Sequence, residues 1–360
     1  MAGDAPLPAD AARMSAARVV ITSGLDARAY PAAVIEVGRA HGPIWREAFG
    51  RLSYDAGARL TKLGTIFDLA SLTKVIATTT LVMRAVRENR LSLETRVADR
   101  LPSWRGPDRA GVTIRQLLDH SSGLPAHARL WEHARGRAEF EPAIAQLPLE
   151  RAPGTASVYS DVGFMLLGFL LEDGGRAPLD QQFATIASTM NGEVRYLPPP
   201  EWREWTAPTE ADAWRGRVLQ GEVHDENAAA LGGVAGHAGL FGTAGAVGTF
   251  ARLVLATLTR TTVLGTPDDL REFITQSHVT GSSRALGWDT MRPTSSCGTR
   301  MSPRAIGHTG FTGTSLWIDP EQDVYVVWLT NRVHPTRANE SLVALRARLH
   351  DAVMAGLMPT

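Results

Sequence analysis

The sequence predicts an α+β fold: one antiparallel sheet built from both chain ends and flanked by helices, with a mainly helical unit inserted between them. Three observations predict it. Strand patterns occupy residues 32–53 and 305–331, helical periods fill most of the chain between them, and 360 residues suffice for roughly two structural units. The expected division is a loose N-terminus over 1–17, a sheet unit from 18–85 plus 300–360, and an inserted helical unit over 86–299, all one domain around one site.

Residues 32–38 (AAVIEVG) are almost wholly apolar and residues 43–53 alternate, so the two read as a hairpin turned at His41-Gly42-Pro43. After Thr65 the period changes: Val75, Ile76, Thr79, Leu81, Val82 and Val86 fit a buried helix with Ser71 at its start. Residues 112–125 read as a short helix ended by Ser121-Ser122-Gly123, and 162–175 as a buried helix ended by Gly174-Gly175. Residues 196–208, rich in Pro and Trp, have no period and read as irregular or polyproline-like. A glycine-rich stretch from Gly232 becomes helical near Val247. Residues 305–310, 314–320 and 324–331 then form a meander of three strands, and 340–357 a terminal amphipathic helix.

Composition removes several function classes. Lys plus Arg and Asp plus Glu balance at 37 each, so no charge excess draws the chain to nucleic acid or an anionic membrane. A small-molecule or short-peptide substrate is the expected partner; the oligomeric state is not legible. The single cysteine, Cys297, excludes an internal disulfide framework and a CxxC metal or redox site, and lies in a small-residue loop with no helix-start signal beside it. No secretory h-region or long apolar run occurs, so the chain as written is expected to be cytoplasmic, or periplasmic if its start has been trimmed. Among the 37 basic residues only Lys62 and Lys74 are lysines. Arginine stays protonated in proteins, whereas lysine can be tuned into a neutral base.

Ser71 and Lys74 form a Ser-x-x-Lys pair one helical turn apart, where an amine reaches a hydroxyl on the same face. Serine becomes a nucleophile when a base takes its proton, and the free backbone N–H at the helix start offers half an oxyanion hole. In isolation the same spacing describes a capped helix with a surface lysine. Residues 222–237 hold two histidines, His224 and His237, and three carboxylates. Their spacing follows no HExxH-type rule, so His224 and Asp225 read as hydrogen-bonded cleft-wall residues and no metal or other cofactor is expected. The glycine run lacks GxGxxG and Walker A spacing, and no GxSxG occurs. Arg332, His334 and Arg337 after the last strand are open to two readings, a rim that binds an anionic group or a solvated loop.

Four segments in order carry a resemblance: Phe67-Asp68-Leu69-Ala70-Ser71-Leu72-Thr73-Lys74, then Leu117-Leu118-Asp119-His120-Ser121-Ser122-Gly123-Leu124-Pro125, then Tyr159-Ser160-Asp161, then His308-Thr309-Gly310. Together they resemble the motif set of the serine β-lactamase and penicillin-binding-protein superfamily, most closely the class C β-lactamase-like esterases and D-peptidases. The resemblance implies a β-lactamase/transpeptidase-like fold and a serine hydrolase acting through an acyl-enzyme on an ester, amide or D-amino-acid peptide. It makes Ser71 the nucleophile, Lys74 its proton partner, and Tyr159 a second base whose pKa nearby cations such as Lys74 would lower. Asp161, His308, Thr309, Gly310 and Phe311 become substrate-binding or oxyanion residues, with the Phe311 N–H completing the oxyanion hole. Two positions depart from the family pattern. Asp161 stands where the family usually has Asn and is expected to pair with Lys74 or His308. His308 stands where β-lactamases usually have Lys, which weakens the grip on a substrate carboxylate. The alternatives are a β-lactamase or D,D-carboxypeptidase with the same residues, and a non-catalytic ligand sensor that keeps the fold.

Overall fold

The computed structural model describes residues 13–357. Its strands are β1 (Ala32–Arg39), β2 (Gly42–Gly50), β3 (Phe67–Asp68), β4 (Val194–Tyr196), β5 (Ala211–Asp212), β6 (Arg217–Val218), β7 (Leu240–Gly242), β8 (Asp289–Thr290), β9 (Ile306–Thr309), β10 (Ser315–Asp319) and β11 (Val324–Thr330). Its α-helices are α1 (Ser15–Asp26), α2 (Thr80–Arg87), α3 (Ile114–Leu118), α4 (Gly136–Gln146), α5 (Asp161–Gly175), α6 (Leu179–Ser188), α7 (Glu226–Ala230), α8 (Ala244–Thr257), α9 (Pro267–Ile274) and α10 (Leu342–Leu357).

The main sheet has six antiparallel strands in the order β2-β1-β11-β10-β9-β8. Its seam joins the chain ends: β1 pairs with β11 from Ala33↔Thr330 to Gly38↔Tyr325. Every residue of β11 is buried, and the period of two divides them between faces. Val324, Val326 and Trp328 face the layer of α1 and α10, while Tyr325, Val327 and Leu329 join the core that includes Val247, Phe250 and Ala251 of α8. The unbroken apolar run of β11 thus reflects a strand covered on both sides. The larger core continues from α8 into the helical unit, where α2, α3 and α5 pack around Val82, Leu117, Phe164 and Leu167.

Several expectations are corrected. Residues 1–12 of the expected loose start lie outside the described residues, but from Ser15 the chain is helical. Ala17, Val20, Ile21 and Gly24 form a narrow buried stripe of small side chains, and its partner, α10, comes from the far end of the chain. The sheet unit also draws on α8 and β8, both inside the segment read as helical. Over 196–208, Tyr196 closes β4 and Pro200–Trp205 is a 3₁₀ helix, because successive prolines favour a helix start as well as an extended chain. Ser71 does stand at the start of the expected helix, which runs from Leu72, but that helix opens into wide π turns over Lys74–Thr79 before α2. Such turns are rare and cluster at functional sites.

Candidate active site

Ser71 sits at the end of a turn stitched down on every side. The buried Asp68 carboxylate accepts the Ala70 N–H at 2.8 Å and the His224 N–H at 2.6 Å. The Asp68 and Leu69 carbonyls accept the hydroxyls of Thr312 and Thr314 at 2.7 and 3.0 Å. Ala70, just before the nucleophile, is held at φ +46°, a left-handed conformation that an alanine adopts only when its surroundings impose it.

Lys74 is fully buried, and its three ammonium hydrogens have three acceptors: Ser71 Oγ at 3.0 Å, Asp161 Oδ1 at 2.6 Å and the His237 carbonyl at 3.1 Å. The Tyr159 hydroxyl lies 2.7 Å from Ser71 Oγ and 3.1 Å from Asp161 Oδ1. Asp161 is the first residue of α5, where Ser160 caps the helix and the end-on dipole favours a carboxylate. Of the two partners expected for Asp161, Lys74 is the one found; His127, which the sequence reading did not consider, takes the other oxygen at 2.7 Å.

The electrostatics follow from burial. Desolvation pulls the Lys74 amine below its ordinary value, against the Asp161 carboxylate, which works to keep it charged. Burial alone would raise Asp161, but Lys74 and the hydrogen bond from His127 hold it well below the usual carboxylate range. Burial, reinforced by Asp161, lifts the Tyr159 phenol well above its ordinary value. The expectation that neighbouring cations lower Tyr159 is therefore corrected: the phenol keeps its proton at rest, because desolvation and the Asp161 charge outweigh the lowering influence of Arg284.

On the facing strand, His308 Nδ1 donates to the Thr309 carbonyl at 2.8 Å, and burial, then Lys74 and Arg284, hold the imidazole well below its ordinary range. His308 is therefore neutral near pH 7. Gly310 runs so close to the Ser71 turn that a Cβ would lie 2.0 Å from Thr314 Oγ1 and 2.7 Å from the Leu69 carbonyl. Among the described residues, neither the Ser71 nor the Phe311 backbone N–H donates to a protein acceptor. Ser71, Tyr159, His308, Thr309, Gly310 and Phe311 line one cleft of about 670 Å³.

The opposite wall carries the second cluster. His224 bonds Glu210 at 2.9 Å and stacks on the half-exposed Phe311 ring, and Asp225 bonds His237 at 2.7 Å. Among the described residues no group of three or more His, Cys, Asp or Glu side chains is arranged to hold a metal ion. Arg337 reaches the cleft but is tied to Glu210 at 2.6 Å and Glu226 at 2.7 Å, Arg332 donates to the carbonyls of Phe311 and Asn339, and His334 is buried against the Thr209 carbonyl. Arg332 and Arg337 thus line the cleft with their donors engaged by protein acceptors, while His334 is buried behind it and does not line the cleft. Cys297 is buried, its thiol pushed up to about 12 by desolvation.

Sequence reasoning missed His127 and Arg284, which lies over the Tyr159 ring and lines the cleft. Neither belongs to a spacing rule. The one available hint for His127 was its place just past Leu124-Pro125, since the loop 120–127 is tied to the start of α5 by Ser160 N–H to His120 Nδ1 and Asp161 N–H to the Ala126 carbonyl.

Comparison with known proteins places this geometry. A putative D-alanyl-D-alanine carboxypeptidase of Escherichia coli (strain K12) is 30% identical over 349 residues, covering 85% of this chain and 79% of the relative. An N-acetylmuramyl-L-alanine amidase of Bacillus subtilis (strain 168) is 29% identical over 363 residues, covering 86% and 78%. Among solved structures, EstCE1, a hydrolase with promiscuous acyltransferase activity, superposes with a TM-score of 0.76 at 21% identity, covering 96% of this chain and 99% of that one. The fold is that of the β-lactamases and transpeptidases, and the sequence model of the Beta-lactamase family matches residues 17–350: the chain belongs to that family.

Proposed function

We propose that this protein is a serine hydrolase that cleaves an ester, an amide or a D-amino-acid peptide through an acyl-enzyme on Ser71. The observation that carries the reading is the position of Ser71 Oγ, on the cleft wall, 3.0 Å from a buried lysine and 2.7 Å from the hydroxyl of a partly buried tyrosine.

In acylation, Lys74 in its neutral form takes the Ser71 proton as Oγ attacks the substrate carbonyl. The backbone N–H groups of Ser71 and Phe311 hold the oxyanion that develops. Tyr159, protonated at rest, gives its proton to the leaving group as the tetrahedral adduct collapses. The phenolate so formed is stabilised by the new Lys74 ammonium and by Arg284. It takes a proton from water, whose hydroxide adds to the acyl carbonyl; Ser71 then leaves and recovers its proton from Lys74. Each group ends as it began. A high resting Tyr159 pKa therefore suits a first role as acid and a second as base.

One observation favours a D,D-carboxypeptidase or β-lactamase as a second reading. Neutral His308 grips a carboxylate weakly, but Arg284 lines the same wall, with a long 3.6 Å contact to Asp289, and could pair with one. The carboxypeptidase name of one relative points the same way, whereas the amidase name of another fits the amide hydrolysis of the first reading.

Intact mass after exposure to a short p-nitrophenyl ester, a cephalosporin and a penicillin tests the reading. The native protein is expected to gain an acyl mass or to turn over at least one of them, while Ser71→Ala does neither, with a rate loss of about 10³-fold or more. Undiminished turnover by Ser71→Ala would show the nucleophile misassigned.

A further inference from the structure

The Asp161 carboxylate has two occupied faces, and the proposed mechanism uses only one. Oδ1, inside the site, accepts Lys74 and Tyr159. Oδ2 points outward to His127 Nδ1 at 2.7 Å. The His127 side chain is 70% exposed, while Lys74 is 0% exposed. One buried carboxylate therefore joins a cation sealed in the core to a titratable ring open to the cleft. The loop that presents His127 is fixed to α5 by the Ser160 and Asp161 backbone bonds and by Ser160 Oγ to the Pro125 carbonyl at 2.7 Å. The contact is thus built into the fold.

Lys74 can accept the Ser71 proton only after losing one of its own, and Asp161 opposes that loss. A positive charge on the outer oxygen offsets the carboxylate and repels the ammonium. We propose that His127 is a positioning residue for the Lys74 base: a solvent-facing cation that shares the Asp161 carboxylate with Lys74 and so eases release of the buried proton. The proposal rests on reading Ser71 as nucleophile and Lys74 as its base, and it adds a residue and a pH dependence to that reading.

The charges around the ring support the direction. His127 faces Asp161 on α5, Asp225 at the start of α7 and Lys74 beneath, with the Tyr159 ring 6.3 Å away. Arg129 in its own loop is paired with Glu132 at 2.7 Å, and His237 with Asp225. The hydrogen bond to Asp161, reinforced by its charge, lifts His127 above the usual histidine range. The ring therefore stays charged further toward neutrality than a free histidine, and loses its proton as pH rises through that elevated value.

Two variants separate charge from hydrogen bond. In His127→Asn the side-chain amide can donate to Oδ2 but carries no charge; His127→Ala offers neither. With kcat/KM for a p-nitrophenyl ester followed from about pH 5 to about pH 10, His127→Asn is expected to lag the native protein about tenfold at the acid end, equivalent to one pKa unit on Lys74. The gap should close as pH rises through the His127 titration, where the native ring is neutral too. His127→Ala is expected to be slower at every pH, and thermal unfolding should be unchanged in both, because the side chain is mostly exposed. A His127→Asn deficit that is absent, or equal at all pH values, overturns the charge-sharing role. Ser71→Ala and mass labelling of Ser71, run alongside, keep the two readings apart. A dead Ser71→Ala with His127 variants indistinguishable from native sinks this inference alone, whereas an active Ser71→Ala sinks the mechanism beneath it.

Discussion

Asp161 shows how one atom changes the chemistry of a site. An amide at this position could accept from Lys74 on its oxygen and donate from its nitrogen; the carboxylate can only accept, and it does so from Lys74, Tyr159 and His127 together. Its charge raises the proton affinity of Lys74 while burial lowers it. In Asp161→Asn the raising influence disappears and burial acts unopposed by that charge. Lys74 then loses its proton at lower pH, and the acid limb of kcat/KM should move downward by about one pH unit, or 1.36 kcal/mol in the protonation equilibrium. An unmoved limb would mean that another group is the base. Ser71 and Lys74 were readable because one helical turn fixes their meeting. The state of Tyr159 was not, because a pKa depends on what surrounds the ring, and here burial and the Asp161 carboxylate 3.1 Å from its hydroxyl set the direction.

At the scale of elements, the site is a joint between the segment after β3, the start of α5 and the glycine-rich loop before β7. Gly236 makes that joint possible: a Cβ there would lie 2.0 Å from the Phe164 carbonyl, inside the closest approach of α5. Its own carbonyl accepts Thr78 Oγ1 at 2.6 Å, and the next one, of His237, is the third acceptor for Lys74. Gly236→Ala must push the loop off α5. It is expected to cost about 1–3 kcal/mol in stability, as overpacking does, and to lower kcat by loosening Lys74. Chemical denaturation and steady-state kinetics would check both, and unchanged values would show that the loop has room to move. The glycine-rich composition was plain in the sequence; which glycine meets which helix was not, since periodicity describes an element's faces and not its neighbours.

For the molecule as a whole, Asn331 ties together segments from the start, middle and end of the chain. Its carbonyl oxygen accepts the Ala32 N–H at 3.1 Å, and its amide donates to the Leu52 and Pro208 carbonyls, each at 2.9 Å, all buried. Asn331→Ala leaves three buried backbone groups unpaired. A loss of about 3 kcal/mol in unfolding free energy is expected, measured by urea titration, because an unsatisfied buried group costs about 1–3 kcal/mol. A change below about 0.5 kcal/mol would show that solvent replaces the side chain. The antiparallel sheet from both termini was legible because each strand carries its own period of two, and the meander of β9, β10 and β11 needs only short turns. The first helix, α1, was missed because its small-residue stripe gains meaning only against α10, from the opposite end of the chain.

The sequence by itself determined the strand and helix periods, the one-turn spacing of Ser71 and Lys74, and the order of motifs that marks the family. All of these depend on residues near one another along the chain or on fixed helical and pleated geometry. Only the tertiary structure decided that Asp161 serves Lys74 and His127 at once, that Arg284 lines the cleft beside a neutral His308, and that Tyr159 rests protonated. The physical reason is common to all three: desolvation and Coulomb interactions act through space over a few ångströms, between groups that the chain brings together only when its core is packed.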